Sequence, residues 1–427
     1  MEIIEYPNPN QWNELIRRPA SDSGKISASV AAILAAVRSG GDRKLREFTA
    51  RFDGFDAPVR PVPVVEIQAA SVSAGLAGAI DQARNNIERF HRPQIEKPLL
   101  VEVEAGVVCW RESRPIEKVG LYIPGGSAPL FSTLLMLGIP ARLAGCREIV
   151  VCTPAGAGGR VPAVILYTAR LLGLDKIFPL GGAQAIAALA YGTESVPRVD
   201  KIFGPGNQYV TAAKQLVQQD GVAIDMPAGP SEVLVLADES GDAEFIAADL
   251  LSQAEHGPDS QVLLVTDSFY LADRTRAEIW RQLEELPRQS TARQSLAHSR
   301  IIVLGDLAAA LEFSNRYAPE HLIIATADAD QVALQVQNAG SVFIGNYSCE
   351  SAGDYASGTN HTLPTDGWAR SYSGLSVDSF VKKISFQRIE PAGLKNIGPA
   401  IEIMAAAEGL DAHRLAVTRR LRRINNV

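Results

Sequence analysis

Between residues 118 and 347 the chain alternates short apolar runs with stretches of helical length, and no other feature limits its possible folds so strongly. Runs at 119–123, 148–153, 176–180, 201–203, 232–237, 261–266, 300–304, 321–325 and 341–344 read as strands, and 161–172, 184–191 and 243–255 read as helices between them. Strands that are apolar throughout, rather than at every second residue, belong to parallel sheets covered on both faces. The expected fold class is therefore α/β, doubly wound and Rossmann-like. Nine strands exceed one ordinary sheet, which divides them into two sheets near residues 230–235. A chain of 427 residues, 46% hydrophobic and 21% charged, has the material for two such cores.

The ends of the chain read differently. Residues 28–37, 43–51 and 79–90 pattern as helices, and 399–408 with 411–423 form a helical hairpin broken at Gly409. These terminal helices are too small to stand alone and are expected to pack on the core or on another subunit. The stretch 119–141 carries no charge and has the length of a membrane span. Pro124, Gly125, Gly126, Pro129 and Pro140 break it, with Ser127, Ser132 and Thr133 among them, so a strand, a turn and a buried helix fit instead. The start, Met1-Glu2-Ile3-Ile4-Glu5, has no basic region followed by an apolar run, and a cytoplasmic protein is expected. With 41 basic and 48 acidic residues the net charge is −7, which builds no field for a phosphate backbone; neither nucleic acid nor a membrane is an expected partner. Cys109, Cys146, Cys152 and Cys349 form no Cys-x-x-Cys pair and read as structural thiols, and Arg419, Arg420, Arg422 and Arg423 as a solvated helix end.

Four of the six histidines fall in polar, glycine-punctuated segments of the second half. In the first segment Ile246, Leu250 and Gln253 share a helix face, so Gln253 continues a buried stripe, and His256 follows just before Gly257-Pro258. This pair is either a ligand pair or a helix-end cap. The second segment, Pro319-Glu320-His321-Leu322, sets an acid and an imidazole at the mouth of an apolar strand, as proton carriers or as an exposed strand start. The third, residues 351–361, is read as a loop after a strand, with Asp354 and His361 offering an oxygen and an imidazole. Glu408 and His413 flank the hairpin turn, while His91 and His298 have no such company and read as surface residues. Nitrogen and oxygen donors of this kind suit zinc or a similar divalent ion. The run 153–159 lacks the third glycine of the dinucleotide fingerprint and reads as a surface loop. The turns at 122–129, 181–184 and 203–207 each follow a strand and precede a helix, either lining one crevice or serving as ordinary tight turns.

These blocks, in this order, resemble the histidinol dehydrogenases over nearly the whole chain. The resemblance rests on Gly120-Leu121-Tyr122-Ile123-Pro124-Gly125-Gly126, Gly181-Gly182-Ala183-Gln184-Ala185-Ile186, Lys201-Ile202-Phe203-Gly204-Pro205-Gly206-Asn207, and Asp225 through Glu232. It continues through Ser252 to Gln261, Pro319-Glu320-His321-Leu322, and Gly353 to His361. It implies a zinc- and NAD-dependent oxidation of L-histidinol through L-histidinaldehyde to L-histidine. By matching position, Gln253, His256, Asp354 and His413 would hold zinc, the last supplied by the partner of an intertwined homodimer. Glu320 and His321 would be catalytic, and Ser231, Gln253, His256, Glu320, Asp354, His361, Glu408 and His413 would surround the substrate. Tyr122, Gln184 and Asn207 would touch NAD. The organisation that follows is an arm at 1–20, a first α/β domain at 21–118 and 234–373 with the catalytic and metal loops, a second at 119–233 with the NAD crevice, and an exchanged helical segment at 374–427. Competing readings are a related dehydrogenase of another polar alcohol, a zinc hydrolase using Glu320 and water, and a metal-binding module without catalysis. Cys349, where the family commonly has proline or another residue, is a local departure.

Overall fold

The computed structural model describes residues 1–19, 23–125, 129–227 and 229–426. Gly126 and Ser127 of the first turn, Ala228 of the Asp225–Glu232 block and the boundary between residues 20 and 21 lie outside the described residues. In chain order the strands are β1 (Glu2–Glu5), β2 (Leu99–Glu104), β3 (Val107–Pro115), β4 (Lys118–Tyr122), β5 (Glu148–Thr153), β6 (Lys176–Pro179) and β7 (Lys201–Phe203). They continue with β8 (Ala223–Ile224), β9 (Glu232–Ala237), β10 (Gln261–Thr266), β11 (Arg300–Val303), β12 (His321–Ala325), β13 (Ser341–Ile344) and β14 (Val381–Ile389). Two compact units result: residues 1–94 with 116–379, and residues 95–115 with 380–427.

The first unit holds both expected parallel sheets. One has the order β6-β5-β4-β7-β8 and the other β1-β11-β10-β9-β12-β13, with every pair parallel. Without β1 each sheet reads third, second, first, fourth, fifth in its own chain order, which is the doubly wound arrangement with a reversal beside its first strand. Strand β9 is buried at all six residues, as a strand covered on both faces must be. The charge-free stretch resolves into β4 and a helix, Phe131–Ala144, buried from Ser132 to Ala141. Among the described residues no helix is long and apolar enough to cross a membrane.

The helices expected at 28–37 and 43–51 lie within Ser23–Phe52 and are separated at Gly41, whose φ 50° and ψ −140° are non-helical. Two details depart from the sequence reading. His91, read as a surface residue, is fully buried, because it lies on the inward face of the helix Ala74–His91 with Ile80, Ala83 and Ile87; its Nδ1 meets the Ile87 carbonyl at 2.8 Å. His298 is half-buried, its Nε2 being 3.0 Å from the Ser260 carbonyl. Among the described residues no disulfide joins the four cysteines: Cys146 and Cys152 are buried, Cys349 is exposed, and burial pushes the Cys146 thiol up to about 12.

The second unit is an antiparallel sheet, β14-β3-β2, followed by the helices Pro391–Ala407 and Asp411–Asn425. Its strands differ from those of the parallel sheets in burial: β2 is exposed at every position, and β14 is exposed except at the half-buried Val381, Lys383 and Phe386. Leu99, Leu100, Val103, Ile403 and Met404 are each about 60–70% exposed.

Candidate active site

In the first sheet, β4 and β7 are neighbours at the reversal of strand order, and the glycine-rich turns after them open there; the turn at 181–184 follows β6, at the sheet edge beyond β5. Tyr122 ends β4, Gln184 lies in the first turn of the helix Gly182–Tyr191, and Asn207 caps the helix Gln208–Gln219 by accepting from Tyr209 N and Val210 N at 3.1 Å. The Gly182 amide donates to Tyr122 Oη at 3.1 Å, and Gln184 Nε2 approaches Asp53 Oδ2 at 3.5 Å. The described parts of these turns stand at the carboxyl ends of parallel strands, the end at which α/β sheets commonly bind ligands.

The second sheet uses its opposite edge. Ser231 immediately precedes β9, Glu320 precedes β12 and His321 is the first residue of β12, paired in register with Val233. Glu320 and His321 are buried, which removes the exposed-strand-start reading. The Glu232 backbone gathers them. Its N–H donates to Glu320 Oε2 at 2.8 Å, and its carbonyl lies 3.1 Å from Gln253 Nε2 and 3.2 Å from His321 Nδ1. The two approaching nitrogens are 3.0 Å apart, and Gln253 Nε2 is also 3.5 Å from Glu320 Oε2. Gln253 Nε2 thus faces the Glu232 carbonyl, Glu320 and His321, and His321 Nδ1 faces both that carbonyl and the Gln253 nitrogen, donating or accepting according to its tautomer. The fully buried Oε1 of Gln253 has no hydrogen-bond partner. Such a buried acceptor costs about 1–3 kcal/mol unless something meets it.

Asp354 completes the cluster. It sits on a short helix, Glu350–Tyr355, where a loop was expected; Gly353 packs that helix against Phe343 of β13 so closely that a Cβ there would lie 2.7 Å from the ring. Asp354 Oδ1 is 3.7 Å from His321 Nε2 and 3.8 Å from His361 Nδ1, and the Asp354 carbonyl meets His361 Nδ1 at 3.1 Å. Ligand atoms of His256, Glu350 and Asp354 lie within 4.8 Å of one another, with Gln253 three residues before His256 at the end of the helix Ala243–Ala254. Burial, opposed by Asp354, lowers His321 to about 4, and burial lowers His361 as well. Burial raises Glu320 and Glu350 well above the ordinary carboxylate range. Desolvation dominates all four, so the pocket resists charge unless a compensating ion enters. An orphaned amide oxygen, an imidazole and carboxylates form a hard-to-borderline donor set suited to zinc.

Glu408 and His413 stand in the second unit, at the end of one hairpin helix and in the first turn of the next, and both are exposed. Three contributors went unread as site residues in the sequence. Glu350 was visible only beside the Cys349 departure. Glu232 was visible only as part of a quoted block. Arg18 lies 214 residues from Glu232 yet grips its carboxylate with two bonds of 2.8 and 2.9 Å, beside an Asp366 N–H at 2.9 Å. Only chain folding brings that pair together.

The chain is similar in sequence and structure to proteins of one family. The family profile described as Histidinol dehydrogenase matches residues 16–421. A histidinol dehydrogenase of Bacteroides fragilis is 58% identical over 426 residues, covering 99% of this chain and 100% of the relative. One from Vibrio vulnificus is 52% identical over 419 residues, covering 97% and 96%. The crystal structure of histidinol dehydrogenase from Elizabethkingia anophelis superposes with a TM-score of 0.97 at 53% identity, covering 100% of this chain and 99% of that one. Agreement of this extent, in a chain that also buries an acid–imidazole cluster at Glu320 and His321, means that it belongs to the histidinol dehydrogenase family of oxidoreductases.

Proposed function

We propose that this enzyme of histidine biosynthesis oxidises L-histidinol through L-histidinaldehyde to L-histidine in two hydride transfers. The observation that carries the reading is the gathering of Gln253, Glu320 and His321 on the backbone of Glu232, with a buried amide oxygen left unsatisfied. Gln253, His256, Asp354 and His413 of the partner subunit would hold one zinc ion per subunit, which would orient the amino alcohol and polarise its oxygen. NAD, held by Tyr122, Gln184 and Asn207, would accept each hydride.

The remaining roles belong to the chain's own side chains. With Nδ1–H of His321 on the Glu232 carbonyl, Nε2 is the free acceptor for the hydroxyl proton. A histidine lowered to about 4 is neutral at physiological pH and ready to take that proton. Glu320, raised by burial, is a stronger base than an exposed carboxylate once ionised, and the Glu232 N–H favours its ionised form. Glu320 then activates water against the aldehyde. Ser231, His361 and Glu408 contact the substrate, Glu408 by accepting from the imidazole.

In this reading residues 119–233 carry the cofactor crevice, 21–118 with 234–373 carry the catalytic and metal loops, and 374–427 are exchanged in a cytoplasmic homodimer. The apolar surface of the second unit supports the exchange, since pairing would cover it. Purified protein supplied with zinc, NAD and L-histidinol should reduce NAD, while reduction with another alcohol and none with L-histidinol would overturn the substrate. Glu320→Gln should spare alcohol oxidation more than aldehyde oxidation when each half-reaction is assayed separately. Equal losses would remove Glu320 from water activation.

A further inference from the structure

Beneath the cofactor crevice lies an ion pair that the chemistry above does not use. Lys214, on the helix capped by Asn207, and Asp225, just after β8, have side chains only 3% and 1% exposed. They form an ion pair through Lys214 Nζ and Asp225 Oδ1, and between them they hold both polar groups of Gly204. Lys214 Nζ donates to the Gly204 carbonyl at 2.8 Å, and the Gly204 N–H donates to Asp225 Oδ2 at 2.8 Å. Asp225 Oδ1 also accepts from Met226 N at 2.7 Å. Gly204 has φ +125°, and a Cβ there would run into the Tyr122 carbonyl oxygen. The pair therefore holds the Gly204 peptide against the backbone of Tyr122, three residues ahead of Asn207.

A buried ion pair is a poor way to gain stability, because desolvation of both ions offsets their attraction and an apolar pair of similar volume does as well. What an apolar pair cannot do is bind the N–H and the carbonyl of one glycine at once. We propose that Lys214 and Asp225 are positioning residues for the dinucleotide: they fix the Gly204–Asn207 turn against Tyr122, so that two walls of the crevice keep one spacing. The inference rests on the reading of this crevice as the NAD site.

The test measures NAD affinity by calorimetry, and KM for NAD and for L-histidinol, in the zinc-loaded full chain and in Lys214→Met, Asp225→Asn and the double variant. Each single variant should weaken NAD binding and raise KM for NAD by about tenfold or more, with KM for L-histidinol nearly unchanged. The double variant has no unpaired buried charge, so its thermal stability should recover while its NAD affinity should not. If a single variant does not fold, the double variant carries the comparison. Unchanged NAD affinity, equal rises in both KM values, or NAD affinity that recovers along with stability would each overturn the positioning role. Failure of the unmodified protein to bind NAD would instead overturn the cofactor reading, and the inference with it.

Discussion

His91 illustrates how a residue with no neighbours of interest in sequence becomes significant once packed. It is buried against its own helix at Ile87, and its Nε2 is 3.4 Å from Asn360, whose amide also donates to the Met136 carbonyl at 2.7 Å. Burial lowers its pKa below the ordinary value of 6.5, so the folded protein keeps it neutral while the unfolded chain protonates it. The stability tied to this group is complete above about pH 6.5 and is lost as pH falls through that value toward the folded pKa, because the unfolded state then binds more protons. His91→Asn should therefore flatten the fall of unfolding free energy on acidification, measured by urea titrations at several pH values between 7 and 5. A slope identical to that of the unmodified protein would contradict this. The comparison isolates His91 from His321 and His361, which burial shifts in the same direction.

At the scale of elements, the site depends on how short pieces are pressed onto strands. The helix Glu350–Tyr355 has only six residues, no side-chain cap at Cys349 and a glycine in it, so local propensity alone would not form it. Its register is set by contact: Gly353 lies on Phe343, which also faces the His321 ring at a centroid distance of 6.0 Å. Gly353→Ala should displace the helix and carry Asp354 away from His361 and His321. Overpacking of this kind costs about 1–3 kcal/mol of stability. The larger effect should be on metal retention, with zinc affinity lowered by about 10- to 100-fold in competition with a chelating dye. Unchanged zinc affinity in the folded variant would show that Asp354 keeps its place without this contact. The same dependence explains why residues 351–361 read as a loop in sequence: the glycine and small residues that look like a flexible segment are there for close packing.

At the scale of the whole molecule, the proposed function makes a testable demand on His413, an exposed residue of the second unit. If each site draws His413 from its partner, a His413→Ala protein and a Glu320→Gln protein should each fail to make histidine. Their mixture, after dissociation and reassociation, should regain activity, because one of the two sites in a mixed dimer then carries neither substitution. No recovery, with mixed dimers verified by mass, would mean that His413 acts within its own chain.

Much of this protein is legible from its residues alone. Apolar runs mark nine strands of the two parallel sheets within a residue or so, because a strand buried on both faces has almost no freedom in composition; the edge strands β1, Glu-Ile-Ile-Glu, and β8, only two residues long, carry no such run and went unread. The motif blocks likewise mark Gln253, His256, Glu320, His321 and Asp354, whose chemistry does not depend on the path of the chain. The antiparallel sheet, the buried His91, the Arg18 grip on Glu232 and the Lys214–Asp225 clamp are not legible in this way. Each depends on which groups lose water and which distant groups they meet when they do. A sequence carries its side chains and their spacing, and these determined the family and the chemistry. Burial and long-range pairing exist only in the folded chain, and they decided how that chemistry is held in place.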